Sequence, residues 1–189
     1  MELFAIDPGN KESAFVLLRF SGTKYADGKL VVDNGSLIID EFGKMSNEEV
    51  AKRLIEWCFH HESTKFLAIE RVQAMGMPVG YEVFETCEWI GRYTQIAQEH
   101  WITPNYVYRA EEKITLCGSS KAKDSNIRQA LIDRYAKHDM KNGKGTKSNP
   151  DIFFGFRADM WAAMAVATTF LDQMAGIGHK AKWRRDNDR

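Results

Sequence analysis

Two short apolar runs far apart in the chain, Leu3-Phe4-Ala5-Ile6-Asp7 and Phe66-Leu67-Ala68-Ile69-Glu70, each end on a carboxylate. A brief apolar run stopped by a polar residue reads as a short buried strand, and the acid after it stands at the rim of the sheet. Asp7 is followed by Pro8-Gly9-Asn10, so it is either a turn residue or a site residue on that rim. The repetition of the arrangement at Glu70 favours the site. If the two strands are parallel neighbours, both carboxylates emerge at one edge. Their repulsion then calls for a cation, and a divalent metal is the natural partner.

The rest of the pattern is mixed. Met1 to Asp7 and Ser13 to Phe20 read as a hairpin and Lys29 to Ile39 as a third strand, so the chain opens with an antiparallel meander. Ser46 with Glu49 three residues later is a capping box, and Val50, Leu54, Ile55, Trp57 and Cys58 mark the apolar side of the helix that follows. His60-His61 falls at its end. The strand ending at Glu70 leads into the irregular Gln73 to Gly80 stretch. Helical spacing returns over Tyr81 to His100, Asn126 to Ala136 and about Asp159 to Gln173, with a strand at Asn105 to Tyr108. Lys137 to Asn149 is polar and rich in lysine and glycine, the composition of a mobile loop. An antiparallel start followed by strand-helix units predicts an α/β fold with a mixed sheet and helices on its faces. A length of 189 residues suits one domain. That domain is read as residues 1–175, with 137–158 a flexible basic loop inside it and 176–189 a basic tail.

Lys plus Arg equals Asp plus Glu at 26 each, which alone would argue against a nucleic-acid partner. The distribution says otherwise: Asp40 to Glu112 holds 13 acids against 7 bases, whereas Lys113 to Lys147 holds 9 bases against 3 acids. The run His179-Lys180-Ala181-Lys182-Trp183-Arg184-Arg185 adds a second basic cluster. These stretches either neutralise phosphates or are solvated helix faces and a frayed tail. Cys58, Cys87 and Cys117 form no pair or even set and read as buried or half-buried thiols in a reducing compartment. Stretches such as Trp161 to Phe170 are shorter than the roughly 20 residues a membrane span needs, and the N-terminus lacks a signal-peptide layout. A cytoplasmic protein without a membrane partner is expected. His60, His61, His100, His138 and His179 have no ligand spacing and read as surface or capping residues. Gly76 and Gly80 fit neither the P-loop nor the dinucleotide fingerprint, so no nucleotide cofactor is expected.

Asp159 opens the run Asp159-Met160-Trp161-Ala162-Ala163-Met164-Ala165-Val166-Ala167, whose small residues permit close packing. By itself it is a helix N-terminal acid of the kind the macrodipole favours. Its order in the chain adds more. Ala5-Ile6-Asp7-Pro8-Gly9, Ala68-Ile69-Glu70, the segment Lys113-Ile114-Thr115-Leu116-Cys117-Gly118-Ser119-Ser120-Lys121-Ala122-Lys123, and Asp159 with its alanine-rich helix follow one another. In that order the sequence resembles the RuvC-type Holliday junction resolvases, especially the phage-encoded kind. These belong to the RNase H-like, or retroviral-integrase-like, nuclease superfamily. The resemblance implies a mixed five-stranded sheet, three antiparallel strands followed by two parallel ones, with helices on both faces. It implies a crossover junction endodeoxyribonuclease of DNA recombination and repair, which cuts four-way junctions by paired hydrolysis and leaves 5′-phosphates. Asp7, Glu70 and Asp159 would be catalytic and hold two Mg²⁺ or Mn²⁺ ions. Lys113, Lys121, Lys123, Arg128, Lys144 and Lys147 would hold phosphates of branched DNA. A four-way junction is nearly two-fold symmetric and is cut twice, so a homodimer is expected. The helix from Tyr81 to His100, with Phe84, Cys87, Ile90, Tyr93 and Ile96, is its interface or simply core. A phage-encoded member would act in the cytoplasm of the bacterial host.

The sequence departs from the bacterial pattern twice. Bacterial members carry a second aspartate three residues into the last helix, where Ala162 stands here, so the cluster has three acids unless Asp151 or another acid substitutes. They also place an aromatic three residues after the strand glutamate, where this chain has Gln73, leaving Met75, Met77 or Tyr81 for any wedge between bases. Ala162 motivates a second reading, a branched-DNA binding protein with weak or no cleavage. A less selective RNase H-like nuclease is the third.

Overall fold

Burial is continuous along the central strands, and the alternating direction of their side chains divides the core between the two faces of one sheet. The structure, a computed structural model, describes residues 1–25, 27, 29–59, 63–73, 76 and 78–180. Its strands in chain order are β1 (Glu2–Asp7), β2 (Glu12–Arg19), β3 (Gly22–Lys24), β4 (Leu30–Val32), β5 (Ile38–Ser46), β6 (Lys65–Arg71) and β7 (Pro104–Tyr108). Five of them form the main sheet in the order β5-β2-β1-β6-β7. The β1-β2 and β2-β5 pairs are antiparallel and the β1-β6 and β6-β7 pairs parallel, as the mixed sheet requires.

On one face Phe4, Ile6, Phe15, Leu67 and Ile69 pack against α1 (Asn47–Phe59) and α2 (Tyr81–Glu99). On the other, Leu3, Ala5, Ala14, Val16, Ala68 and Val107 meet α4 (Asp124–Tyr135) and α5 (Met160–Met174), with α3 (Arg109–Cys117) leading into them from β7. Ala163, Ala165 and Ala167 are fully buried, and α5 lies across β1 and β2. Larger side chains there would overpack the contact. The Ser46 capping box forms as read: Ser46 Oγ accepts from the Glu49 N–H, and Glu49 Oε2 accepts from the Ser46 N–H at 3.1 Å.

Three expectations are corrected. The third strand of the sheet is β5, whereas the Lys29–Ile39 run contributes β4, which pairs with β3 in a separate two-stranded sheet and buries Leu30. Residues such as Asp40, Glu41, Gly43 and Lys44 disguise β5; an edge strand is held by pairing with its neighbour and needs little apolar character. The Arg109–Cys117 stretch, assigned no helix from its pattern, is helical. Cys87 is exposed, while Cys58 is buried and Cys117 half-buried. Along α2, Ile90 and Tyr93 belong to the core, and Tyr81 and Phe84 face outward. The expectations on His60, His61, Met75, Met77 and the cluster from Ala181 to Arg185 lie outside the described residues. No helix among the described residues is long and apolar enough to cross a membrane.

Residues 137–158, expected as a flexible basic loop, lie on a hydrogen-bonded frame. The Asp151 carboxylate, fully shielded, accepts the backbone N–H groups of Lys137, His138, Asp139 and Ile152 at 2.7–3.1 Å. Asp139 accepts those of Asn142, Lys144 and Gly145 in turn. Phe153 and Phe156 anchor the segment by packing edge-on to each other and against Trp161. Burial works against the Asp151 charge, but the four donors prevail and hold its carboxyl well below the usual aspartate range. Its oxygens are thus committed to the loop, and it is not a substitute acid for Ala162. Asp151→Ala is expected to cost about 3 kcal/mol, read as a fall of about 6–12 °C in melting temperature. The sign of its pH dependence follows from the depressed value. The stability Asp151 contributes is complete above 3.8 and is lost as pH falls through its lower native value, so the variant should lose less stability than the parent on acidification.

Candidate active site

One row of residues crosses the sheet at the end where β1, β6 and β7 finish. Asp7 pairs with Ala14, Ala14 with Lys44, and Glu70 with Val107. The parallel β1-β6 register, Ala5 to Ala68 and Ile6 to Ile69, brings Asp7 level with Glu70. Side chains two apart share a face, so Asp7 follows Leu3 and Ala5 toward α5, and Glu70 follows Ala68 there. Asp159 arrives from across the cavity at the N-terminus of α5. Ala158 before it has φ +34°, a left-handed backbone that costs a non-glycine residue about 1–2 kcal/mol. The Phe153-Phe156-Trp161 cluster flanks that turn on both sides and holds it in place.

Asp7, Glu70 and Asp159 line one cavity of about 270 Å³, together with Arg109, Asp124, Trp161 and Ala162. The order predicted from sequence therefore meets in space. Burial, then the charge of Glu70 and a hydrogen bond to it, push the Asp7 carboxyl up to about 9. Burial also raises Glu70, with Arg109 opposing the rise. Asp159 is instead held by Lys44, whose Nζ lies 2.8 Å from its Oδ2. Consequently, no three His, Cys, Asp or Glu side chains among the described residues stand together as a ready metal-binding group. The donors are nonetheless of the right kind: hard carboxylate oxygens, two of them half-buried on adjacent strands where each raises the cost of the other's charge, suit Mg²⁺ or Mn²⁺.

The turn after Asp7 is built from a buried polar network. Asn47 Nδ2 donates to the Gly9 carbonyl at 3.0 Å, Ser13 Oγ donates to Asn47 Oδ1 at 2.5 Å, and Tyr93 Oη donates to Ser13 Oγ at 3.1 Å. Gly9 is required by space, because a Cβ there would sit 2.3 Å from the Glu12 carbonyl oxygen.

Sequence reasoning missed four charged groups of this site. Arg109 Nη1 pairs with Glu112 at 2.5 Å and its Nη2 with Asp124 at 2.6 Å. Glu112 is fully buried, and its Oε1 has no hydrogen-bond partner among the described residues. Burial raises its carboxyl well above the usual range, Glu70 adds to the rise, and Arg109 opposes it. The fourth group is Lys44. A signal for Arg109 was present, since a charged residue follows directly on the strand read to Tyr108. Nothing local marked Lys44, which depends on the β2-β5 register.

Of the six cations expected to hold phosphates, Arg128 and Lys144 line a second cavity that adjoins the first. Lys113 sits on α3, and Lys121, Lys123 and Lys147 face solvent away from both cavities. Ala162 lines the acid cavity, one helical turn beyond Asp159.

This geometry belongs to a known class of fold. The chain superposes on the Thermus thermophilus RuvC structure with a TM-score of 0.63, over 94% of this chain and 98% of that one, at 13% identity. It superposes on T. thermophilus RuvC in complex with Holliday junction substrate with a TM-score of 0.61, over 94% and 98% of the two chains, at 14% identity. No family model and no curated protein matches the sequence. The chain has the RuvC-type, RNase H-like fold, a mixed five-stranded sheet with helices on both faces.

Proposed function

We infer that the protein is a metal-dependent, structure-selective endonuclease that resolves four-way DNA junctions by paired phosphodiester hydrolysis, leaving 5′-phosphates. One observation carries this: Asp7 and Glu70, half-buried and level on adjacent parallel strands, line one cavity with Asp159, within a fold of the RuvC type. Asp7, Glu70 and Asp159 would hold Mg²⁺ or Mn²⁺, two ions per site. When bound, such ions activate water for attack and neutralise charge on the departing 3′ oxygen. The chain's own residues do the rest. With such ions bound, Asp7 would give up its proton and Asp159 would leave its ion pair with Lys44, so that Lys44 could face a phosphate oxygen, while Arg109 stays paired with Glu112 and Asp124 and steadies Glu70. The T. thermophilus RuvC that shares this fold is seen in complex with a Holliday junction substrate, which supports branched DNA as the ligand.

The test is incubation with a labelled four-way junction, a flap, a duplex and an RNA–DNA hybrid in Mg²⁺ or Mn²⁺. Symmetric nicks in the junction with ligatable 5′-phosphates are expected. Equal cutting of all substrates would instead indicate the less selective nuclease. The binding-protein reading is favoured by one observation, that Lys44 and Arg109 hold positive charge where Ala162 supplies no fourth acid. It predicts tight junction binding without incision in either metal. Ala162→Asp places a carboxylate into the cavity wall. It is expected to raise the cleavage rate at least 10-fold at limiting Mn²⁺ and to lower the melting temperature of metal-free protein through added repulsion.

A homodimer matches the two-fold symmetry of the junction. Tyr81 and Phe84, 75% and 56% exposed on the outer end of α2, are its proposed contact. Phe84→Arg is expected to shift the protein from dimer to monomer in sedimentation and to uncouple the two nicks.

A further inference from the structure

Beside the acid cavity lies a second, of about 380 Å³, lined by Ser125, Arg128, Lys144 and Arg157. Asp124, Ala158 and Trp161 line both, so the two form one continuous groove. The charge of the second part is opposite to that of the first. Arg128 comes from α4, and Lys144 and Arg157 come from separate parts of the 137–158 segment, 13 positions apart, which meet only in the folded chain. None of the three makes an ion pair among the described residues. The one acid present, Asp124, is engaged by Arg109.

These cations are also held in place. The Arg128 guanidinium lies over the Trp161 ring, 4.7 Å from its centroid. A stacked guanidinium keeps its donor edge free for a planar or tetrahedral oxyanion and gives up less freedom on binding one. The Lys144 backbone N–H is bonded to Asp139, and the Arg157 N–H to the Met160 sulfur. Three converging cations, without an ion-pair partner among the described residues and next to an acid cluster, are placed to take an anion from outside the chain.

We propose that this half of the groove is a phosphate seat. It takes a backbone phosphate of the strand being cut, within a few nucleotides of the bond held at the acids, through Arg128, Lys144 and Arg157. Arg157 is thereby a DNA-binding residue, and Trp161 positions Arg128. The seat sets the register of the strand across Asp7, Glu70 and Asp159. This rests on the nuclease reading for the placement of the cut, though not for the binding of the phosphate.

The experiment measures junction binding by fluorescence anisotropy in Ca²⁺ across a salt series, and cleavage in Mg²⁺ or Mn²⁺ in parallel. The proteins are the parent chain, Arg157→Ala, the triple variant Arg128→Ala/Lys144→Ala/Arg157→Ala, Arg128→Lys, and Lys52→Ala on α1 across the sheet as a control. Arg157→Ala should weaken binding about 10-fold. The triple variant should weaken it about 100-fold and reduce the slope of log affinity on log salt by about 1, since the one phosphate contact contributes about 0.9. Arg128→Lys, which keeps the charge and loses the stacked fork, should keep the salt slope but shift or blur the cut position. Lys52→Ala should match the parent. A single methylphosphonate placed within a few nucleotides of the cut should weaken the parent and leave the triple variant unaffected. If the parent binds and never cuts while the triple variant shows the loss in affinity and slope, the nuclease reading fails and the seat stands. If the parent cuts while the triple variant binds with unchanged affinity and slope, the seat is overturned and the nuclease reading stands.

Discussion

Asp7→Asn is expected to abolish junction cleavage, by at least 10³-fold, and at the same time to raise the melting temperature of the metal-free protein. The two effects have one cause. Asp7 is pushed up to about 9 from 3.8 by burial and by Glu70, so at pH 7 the folded chain must hold a proton that the unfolded chain releases. Over that interval the cost is about 2–4 kcal/mol, which Asn removes while still offering Glu70 a donor. A gain of about 5–15 °C follows. The sign with pH is fixed by the raised value. Stability from this group is complete below 3.8 and is lost as pH rises toward 9, so the parent should become less stable across that window and Asp7→Asn should flatten the slope. Divalent metal should restore the parent at pH 7 or 8 and leave the variant nearly unchanged. Thermal melts at several pH values, with EDTA and with Mn²⁺, read all of this. A variant that melts lower than the parent, with the same pH slope, would remove the claim that these acids are crowded together awaiting a cation.

The second large effect concerns Arg109. Its guanidinium bridges Glu112, which has no access to solvent, and Asp124 at the rim. Removing one member of a buried pair leaves the other uncompensated. Arg109→Ala should therefore cost about 3 kcal/mol, a fall of about 6–12 °C, and cleavage should drop at least 10-fold because the cavity loses the cation that faces Glu70. Adding Glu112→Leu removes the stranded carboxyl and should restore most of the stability, since an apolar side chain of similar size replaces a buried charge. It should not restore activity. That separation is the measurement of interest. If stability and activity return together, Arg109 serves the fold alone; if neither single nor double variant changes the melt, the buried pair has no energetic weight.

How much of this site could be read along the chain depends on how local each signal is. Asp7 and Glu70 were legible because each ends its own apolar run, and the pattern of such a run carries its strand with it. Asp159 taken alone reads as a helix N-terminal acid, and only its place in the order of motifs that resembles the RuvC-type resolvases marked it. The strand β5 was not: Asp40, Glu41, Gly43 and Lys44 resemble a loop, and only hydrogen bonding to β2 makes them a strand. With that strand misplaced, Lys44 could not be put beside Asp159. Glu112 was missed for the opposite reason. On a nine-residue helix its charge suggests solvent, whereas its side chain lies fully inside. The reach of Asp151 was also hidden, because its partners are backbone N–H groups, which every residue but proline carries and which leave no mark in a sequence.

The sequence by itself determined the class of fold and which acids stand at the ends of β1 and β6, because an apolar run and the acid that follows it are set within a few positions of each other. The tertiary structure alone decided how those charges are balanced. Which cation faces which acid, whether Asp7 keeps its proton, and where free positive charge is left beside the site depend on strand register and helix placement. Electrostatic energy is a function of distance through space, and the chain brings residues together from more than a hundred positions apart.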